Sequence, residues 1–408
     1  MIPSTAFAQS QDQSLVLLKQ YAVGGAVAEI ISASPDGATL AFTNAGDKQI
    51  GFIDIRDVQA PEALGTVDVS GLGEPTSVAI TPNSQYAIAA ILAEGDNPGL
   101  LIFIDPTTRE LVGQLQLPGV GPDSVAITPD GSKVVVAIED EEDTDNLPGK
   151  RPGSIAIATI NYANPSQSTV TSVSLDLSTV EGVNYAADVQ PEFVAISPDG
   201  QTAAVTLQEN NAIALIDLAT AQVTRLFSAG TVVHNQADLT DDDNAQFNQA
   251  FTGRREPDSI AFSPDGRYLI TANEGDTSLE SFGDDVWSGG RGWSIFDLDG
   301  NVVYESGASL EMLAAQQGMY PDDRSEKRGI EVEGATVATI GGNPLAFVAS
   351  ERGSFVAAYD ISKVESPQLV GFMATGDSPE GVLAIPGSNL LLTANEGDGT
   401  ISFFEVKP

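Results

Sequence analysis

The chain has no cysteine, so neither a disulfide framework nor thiolate chemistry is available to it. It has one histidine, His234, which lies in an insertion and has no sequence partner for a hydrolytic triad or a zinc site. Positive charge is scarce as well. Eighteen Lys and Arg face 57 Asp and Glu, a formal net charge of −39. That balance argues against nucleic acid or an anionic membrane as a direct partner, and it favours cations or a high-salt setting. No apolar run approaches the ~18 residues of a membrane span. Long helical periodicity is nearly missing. One short helix is expected at Ser309–Gln317, with Ser309 as N-cap and Gly318 as its stop.

What the chain does have is a rhythm. An acidic residue is followed six positions later by the Pro of a tight turn, with an apolar run between. Glu29 precedes Pro35, Asp123 precedes Pro129, Glu192 precedes Pro198, Asp258 precedes Pro264 and Glu380 precedes Pro386. Thr76 takes the acidic slot before Pro82, and Glu333 opens a degenerate copy whose turn is Gly341-Gly342-Asn343. Pro35, Pro82 and Pro129 are 47 residues apart, and insertions space the later copies more widely. Ser259–Phe262, the turn Ser263-Pro264-Asp265-Gly266 and the return run Tyr268–Thr271 show one hairpin clearly, since Pro presets φ and Gly takes the positive φ. A third strand with a terminal acid recurs, as in Ala212–Asp217 and Val356–Asp360.

Such periods of strand-turn-strand units indicate propeller blades. The chain reads as all-β, a seven-bladed β-propeller over residues 14–408, with six or eight blades as neighbouring alternatives. Residues 14–21 form an extra strand, and the last unit stops after its third strand at 401–406. The first strand is therefore expected to complete the last blade and remove both open edges. Residues 1–13 read as a signal-peptide remnant or a disordered tail. Ala6-Phe7-Ala8 matches a cleavage pattern, which gives the expectation of an extracytoplasmic protein, periplasmic or secreted.

Geometry then gathers the acids. The start of a hairpin's first strand and the end of its second lie at the same end. The first-strand starts supply Glu29, Asp123, Glu192, Asp258, Glu333 and Glu380. The second-strand ends supply Glu94, Glu139, Glu209, Glu274, Glu351 and Glu396. Inner strands line a propeller's channel, so two carboxylate rings should crowd one mouth. Hard oxygen donors in such number suit calcium, with another divalent metal such as magnesium as the alternative. Solvated strand ends are the plain alternative reading. Eight of the 18 bases fall between positions 254 and 352, and seven of them, Arg254, Arg255, Arg291, Arg324, Lys327, Arg328 and Arg352, precede a first strand, follow a second or sit in an insertion. The expected metal site is therefore Asp258, Glu274, Glu331, Glu333, Glu351, Glu380 and Glu396. Arg291, Arg328 and Arg352 are placed for an anion such as phosphate, sulfate or carboxylate, or else for salt bridging. The acidic stretches at 140–153 and 240–244 read as solvated loops. Ser325 has no histidine base near it in sequence.

The stretch Glu256–Asp276, the run Gly289–Gly300, Tyr304–Gly307, Ser378–Gly381 and Ala394–Gly397 resemble the core of the choice-of-anchor I family. Arg324-Ser325-Glu326-Lys327-Arg328-Gly329-Ile330-Glu331-Val332-Glu333-Gly334 is similar to that family's RS-x-x-KG-x-E-x-EG signature. Arg328 stands where Lys is usual, and Ile330 and Val332 stand where Pro is common. The resemblance is closest over roughly residues 255–408, and the first half is similar to lactonase-like YVTN-type propeller repeats. It implies a surface protein akin to the mesenchyme-specific cell surface glycoproteins, or to bacterial members labelled alkaline phosphatase-like. Two functions follow as expectations. One is a secreted calcium-binding propeller that holds a polysaccharide, a phosphate-containing ligand or a surface partner at its mouth. The other is a calcium-dependent phosphoesterase, with calcium held by Glu274, Glu331 and Glu333 and phosphate clamped by Arg328 and Arg352. A lactonase-type hydrolase is a third, weaker reading.

Overall fold

The computed structural model describes residues 14–25, 27–140, 149, 151–277 and 286–407. The tail at 1–13 and most of the acidic loop at 140–153 lie outside the described residues. Seven four-stranded antiparallel sheets follow one another along the chain, and an extra two-stranded hairpin, Thr231–Ala237 with Gln249–Arg254, is inserted between the fourth and fifth. The inner strands are Ile31–Ala33, Glu74–Ile80, Pro122–Ile127, Val194–Ile196, Ile260–Phe262, Val332–Ile340 and Pro379–Ala384.

The ring closes as the sequence expects. Leu15–Ala22 pairs antiparallel with Thr400–Val406, from Leu15 opposite Val406 to Ala22 opposite Thr400. The core has the same form. Seven apolar clusters each join two neighbouring blades, including one between the seventh blade and the first around Leu40, Phe42, Leu392 and Phe403. Burial is thus continuous around the circle, as a repeat array needs when no single blade can cover its own two faces.

Two local devices hold the inner strands in place. In the turns, Ser34, Ser197 and Ser263 hydroxyls donate to Asp36, Asp199 and Asp265 at 2.5, 2.6 and 2.7 Å. These bonds, and the hydrogen bonds that the aspartates accept from turn N–H groups, hold the Asp36 and Asp199 carboxyls below the usual carboxylate range. Along the channel, hydroxyls bridge adjacent blades. Ser32 accepts from the Ile80 N–H at 2.9 Å, Ser77 from Val125 at 3.1 Å and Ser124 from Val194 at 3.2 Å, while Ser259 donates to the Glu333 carbonyl at 2.6 Å. Ser77, Ser124 and Ser259 immediately follow Thr76, Asp123 and Asp258, and Ser32 stands three residues after Glu29, so the bridges help to fix where the carboxylates stand.

The helix runs over Ser309–Gln317 and stops at Gly318 in the left-handed region, φ 73°. Its N-cap is Ala308, not Ser309. Ser309 is already helical, and its hydroxyl donates to the Ser306 carbonyl at 2.7 Å instead.

Candidate functional site: a carboxylate mouth with an arginine shoulder

The hairpin registers bring first-strand starts and second-strand ends together: Pro122 opposite Ile138, Val332 opposite Ser350, Pro379 opposite Asn395. Thr76, Asp123, Glu192, Asp258, Glu333 and Glu380 consequently line one small cavity of about 70 Å³ on the channel, with Ile30, Phe193 and the serines between them. Thr76 contributes no charge, and its hydroxyl donates to the Pro122 carbonyl at 2.7 Å.

Two triads of carboxylate oxygens close to within 4.8 Å here: Asp123, Glu139 and Glu192, and Asp258, Glu274 and Glu333. They are built alike. Each takes the first-strand acid of a blade, the acid 16 residues later at the end of the second strand, and the first-strand acid of the next blade. Glu380 and Glu396 repeat the 16-residue step, with Glu29 as the next-blade acid, but Glu396 lies exposed in the turn Glu396–Asp398. Glu94 is exposed as well, so the second carboxylate ring is uneven.

Burial decides the protonation of this mouth. Desolvation first, then neighbouring carboxylates, pushes Glu333, Asp258, Glu192 and Glu380 well above the usual carboxylate range. Glu274 rises to about 8 and Glu351 to about 7, burial again being the larger cause. Glu29 rises to about 7, mainly by burial and then by the charge of Glu396. Glu333 Oε2 is enclosed without a hydrogen bond. Glu274 Oε2 accepts from the Gln208 amide at 2.8 Å.

A third group of oxygens within 4.8 Å joins Glu274 to Glu331 and Glu351. The five residues Asp258, Glu274, Glu331, Glu333 and Glu351 thus form two triads that share Glu274. The shoulder differs in kind from the channel triad. Glu331 is fully buried. Its Oε1 accepts from Arg324 Nε at 2.7 Å and lies 2.6 Å from Nη2, and its Oε2 accepts from Arg352 Nε at 3.3 Å. Arg352 Nη1 lies 2.9 Å from Glu351 Oε1. Arg328 donates to the Asp276 carbonyl at 2.8 Å, and its Nη2 lies 3.8 Å from the Asp276 carboxylate.

Arg291 is placed differently from its sequence assignment. Its guanidinium is fully enclosed and donates to the carbonyls of Asp238, Ser325 and Lys327 at 2.9, 2.6 and 2.7 Å. It also lies 3.6 Å from the buried Glu311 carboxylate and over the Phe251 ring. It ties the inserted hairpin, the helix and the segment at 324–331 into one block, with its two Nη groups spent on main-chain oxygens. Ser325 is buried too, its hydroxyl bonded to Tyr320 at 2.9 Å. His234 stacks on Phe251, and its Nε2 meets the Gly290 carbonyl at 3.0 Å.

Residues 29–288 and 280–364 match the model of the choice-of-anchor I domain. The chain belongs to the choice-of-anchor I family. The match reaches back to the acid of the first blade, well beyond the second half that carries the motif resemblance. A comparison with curated proteins finds no match. Among solved structures, Kuenenia stuttgartiensis hydrazine synthase superposes with a TM-score of 0.62 at 17% identity, over 98% of this choice-of-anchor I chain and 99% of that chain. At that identity the likeness concerns the propeller fold alone.

In the sequence Arg324 stands among the bases with nothing that assigns it to the anion set, and the density of charge centres the site on the fifth and sixth blades. The contact with Glu331 spans seven residues through a turn and leaves no periodic trace. The matching triad on the third and fourth blades did leave one, the 16-residue spacing shared by Asp123/Glu139 and Asp258/Glu274.

Proposed function

We propose that this choice-of-anchor I propeller binds divalent cations, calcium foremost, at its carboxylate mouth and through them holds a ligand or surface partner. The observation that carries the reading is the triad of Asp258, Glu274 and Glu333. Its oxygens lie within 4.8 Å of one another, and Glu333 Oε2 is enclosed without a hydrogen bond. Three hard oxygen donors with one unsatisfied atom fit calcium better than a softer metal. A bound cation would supply the positive charge that lets these half-buried groups ionise together. Membership of the choice-of-anchor I family supports a cell-surface or extracellular setting. Among the described residues, no helix is long and apolar enough to cross a membrane.

Isothermal titration with calcium tests the reading. The native protein should bind at least one calcium, and Glu333→Gln, which removes a charge with little change of shape, should weaken binding about tenfold or more. Unchanged affinity in Glu333→Gln would remove the triad from the site. Hydrolysis of p-nitrophenyl phosphate that stops on adding chelator would move the reading to the phosphoesterase, for which the guanidiniums beside the triad are the relevant groups.

A further inference from the structure

A buried carboxylate gripped by two arginines is a poor cation ligand and a good orienter. Glu331 is held in a left-handed backbone conformation, φ 46°, with its side chain fully enclosed. Arg324 occupies Oε1 through both Nε and Nη2, and Arg352 occupies Oε2 through Nε. A cation at Glu331 would have to displace a guanidinium from a pair whose partners cannot be resolvated cheaply. The grip also leaves specific atoms over. Among the described residues, Nη1 of Arg324 and Nη2 of Arg352 carry no hydrogen bond, and the Arg352 side chain is 42% exposed. The outer face of Arg352 lines an open cleft of about 500 Å³ with Tyr320, Ser354, Thr375 and Asp377. Its inner face meets Glu351, whose oxygen lies within 4.8 Å of Glu274 in the cation triad.

We infer that Glu331 is a positioning residue that holds Arg324 and Arg352 as a clamp for an oxoanion, next to the cation triad of Asp258, Glu274 and Glu333. The inference deepens the proposed function and rests on it for the identity of the neighbouring cation. A planar guanidinium with two edges suits this double duty, one edge on the orienting carboxylate and one on the ligand. On a chain of net charge −39, an anion gains from the bound cation as well as from the arginines, so the two ligands should bind with positive coupling. The ligand is an oxygen anion carried by a larger molecule, a phosphate, sulfate or carboxylate group.

The test uses the whole chain, with inorganic phosphate, sulfate and acetate as probes, each titrated in calcium and in chelator. Native protein in calcium should bind at least one probe, more weakly in chelator. Binding of phosphate and sulfate alone assigns a tetrahedral group, and acetate binding as well extends the class to carboxylates. Arg352→Gln should lower probe affinity about tenfold or more, and Arg352→Lys should recover part of it. Glu331→Gln should lower it similarly while calcium affinity stays within about twofold, a split that general damage to the fold would not produce. Because Glu331 is buried, the half-exposed Arg352 serves as the independent variant should Glu331→Gln fail to fold. Equal probe affinity in native protein and Arg352→Gln overturns the clamp, as does loss of calcium binding in Glu331→Gln with an intact melting transition. Native protein that binds calcium and no probe overturns the clamp and leaves the cation site standing.

Discussion

Removing calcium should make the protein less stable as the solution becomes more alkaline, across a range where most proteins change little. Four carboxyls set a lower limit, and Glu333, Asp258, Glu192 and Glu380, also raised by burial, add in the same direction. Glu29, Glu311 and Glu351 are pushed up to about 7 and Glu274 to about 8, burial being the leading cause in each. Their folded values lie above the unfolded value of 4.5. Their contribution is therefore fully present below that value and is lost as pH rises through about 7 to 8. His234 works the other way. Burial lowers it to about 4 from 6.5, so its contribution is complete above 6.5 and lost as pH falls through about 4. Starting at about pH 6.5 keeps most of that term out. From there to about pH 8, each group at about 7 loses about 0.8 kcal/mol and the group at about 8 loses about 1.7 kcal/mol, about 4 kcal/mol in all. At about 2.1 cal/mol/K of unfolding entropy per residue, these four alone lower the melting temperature of a 408-residue chain by about 5 °C. Saturating calcium should oppose that fall, because cation binding requires Glu274 and its triad partners Asp258 and Glu333 to ionise, and its stabilising effect should be larger at pH 8 than at pH 6.5. Differential scanning calorimetry in chelator and in millimolar calcium, with sodium matched for ionic strength, reads both effects. A melting temperature in chelator that is flat or rises over this range refutes the buried-acid reasoning. A calcium effect of equal size at both ends refutes the claim that Asp258, Glu274 and Glu333 hold the ion.

Other outcomes follow from the packing. Leu15→Ala, at a fully buried site in the cluster with Phe347, Leu391 and Phe404, should cost about 2–5 kcal/mol by chemical denaturation. Leu17→Ala on the same strand, 43% exposed, should cost less than about 1 kcal/mol, and equal costs would mean that the first strand does not close the ring. Arg291→Met strands the buried Glu311 and should cost about 3–5 kcal/mol in the same measurement. His234→Gln should lose less stability than native protein between pH 8 and pH 5, by about 2 kcal/mol, and parallel pH profiles would refute the depressed histidine.

The fold was legible because most blades announce themselves twice, by an acid and by a tight turn six residues on, and Thr76 and the turn at Gly341-Gly342 keep the same spacing or place in the two exceptions. The first strand's partner could be inferred from a missing fourth strand, and Leu15 opposite Val406 bears that out. The helix bounds at Ser309 and Gly318 were also legible, since glycine in the left-handed region stops a helix whatever packs around it, while the cap moved to Ala308 because Ser309 found a carbonyl of its own. The site was legible only as a gathering of charges at one mouth. Its division into a channel triad and a clamped shoulder depends on where guanidiniums point, and sequence carries no such signal. Arg291 shows the limit: on so acidic a chain a base reads as a surface partner for acids, yet three carbonyls converge to bury it. Glu396 shows another. Its spacing matches Glu139 and Glu274, but the turn at Glu396–Asp398 carries it outward.

The latch of the ring also has a mechanical meaning. Because Leu15 stands opposite Val406, with the Lys407 N–H on the Ser14 carbonyl at 2.6 Å, both ends of the chain leave the last blade at the same corner. A tension applied across those two ends would load one rung at a time, beginning at Leu15–Val406 and travelling towards Ala22–Thr400, so the ring would unzip at low force. A pull between one end and the mouth bypasses that ladder and spreads over the rungs of the blades between. The same molecule should therefore be weak or resistant according to where it is held, and a surface protein gripped by one terminus and by its ligand would be loaded along its resistant direction.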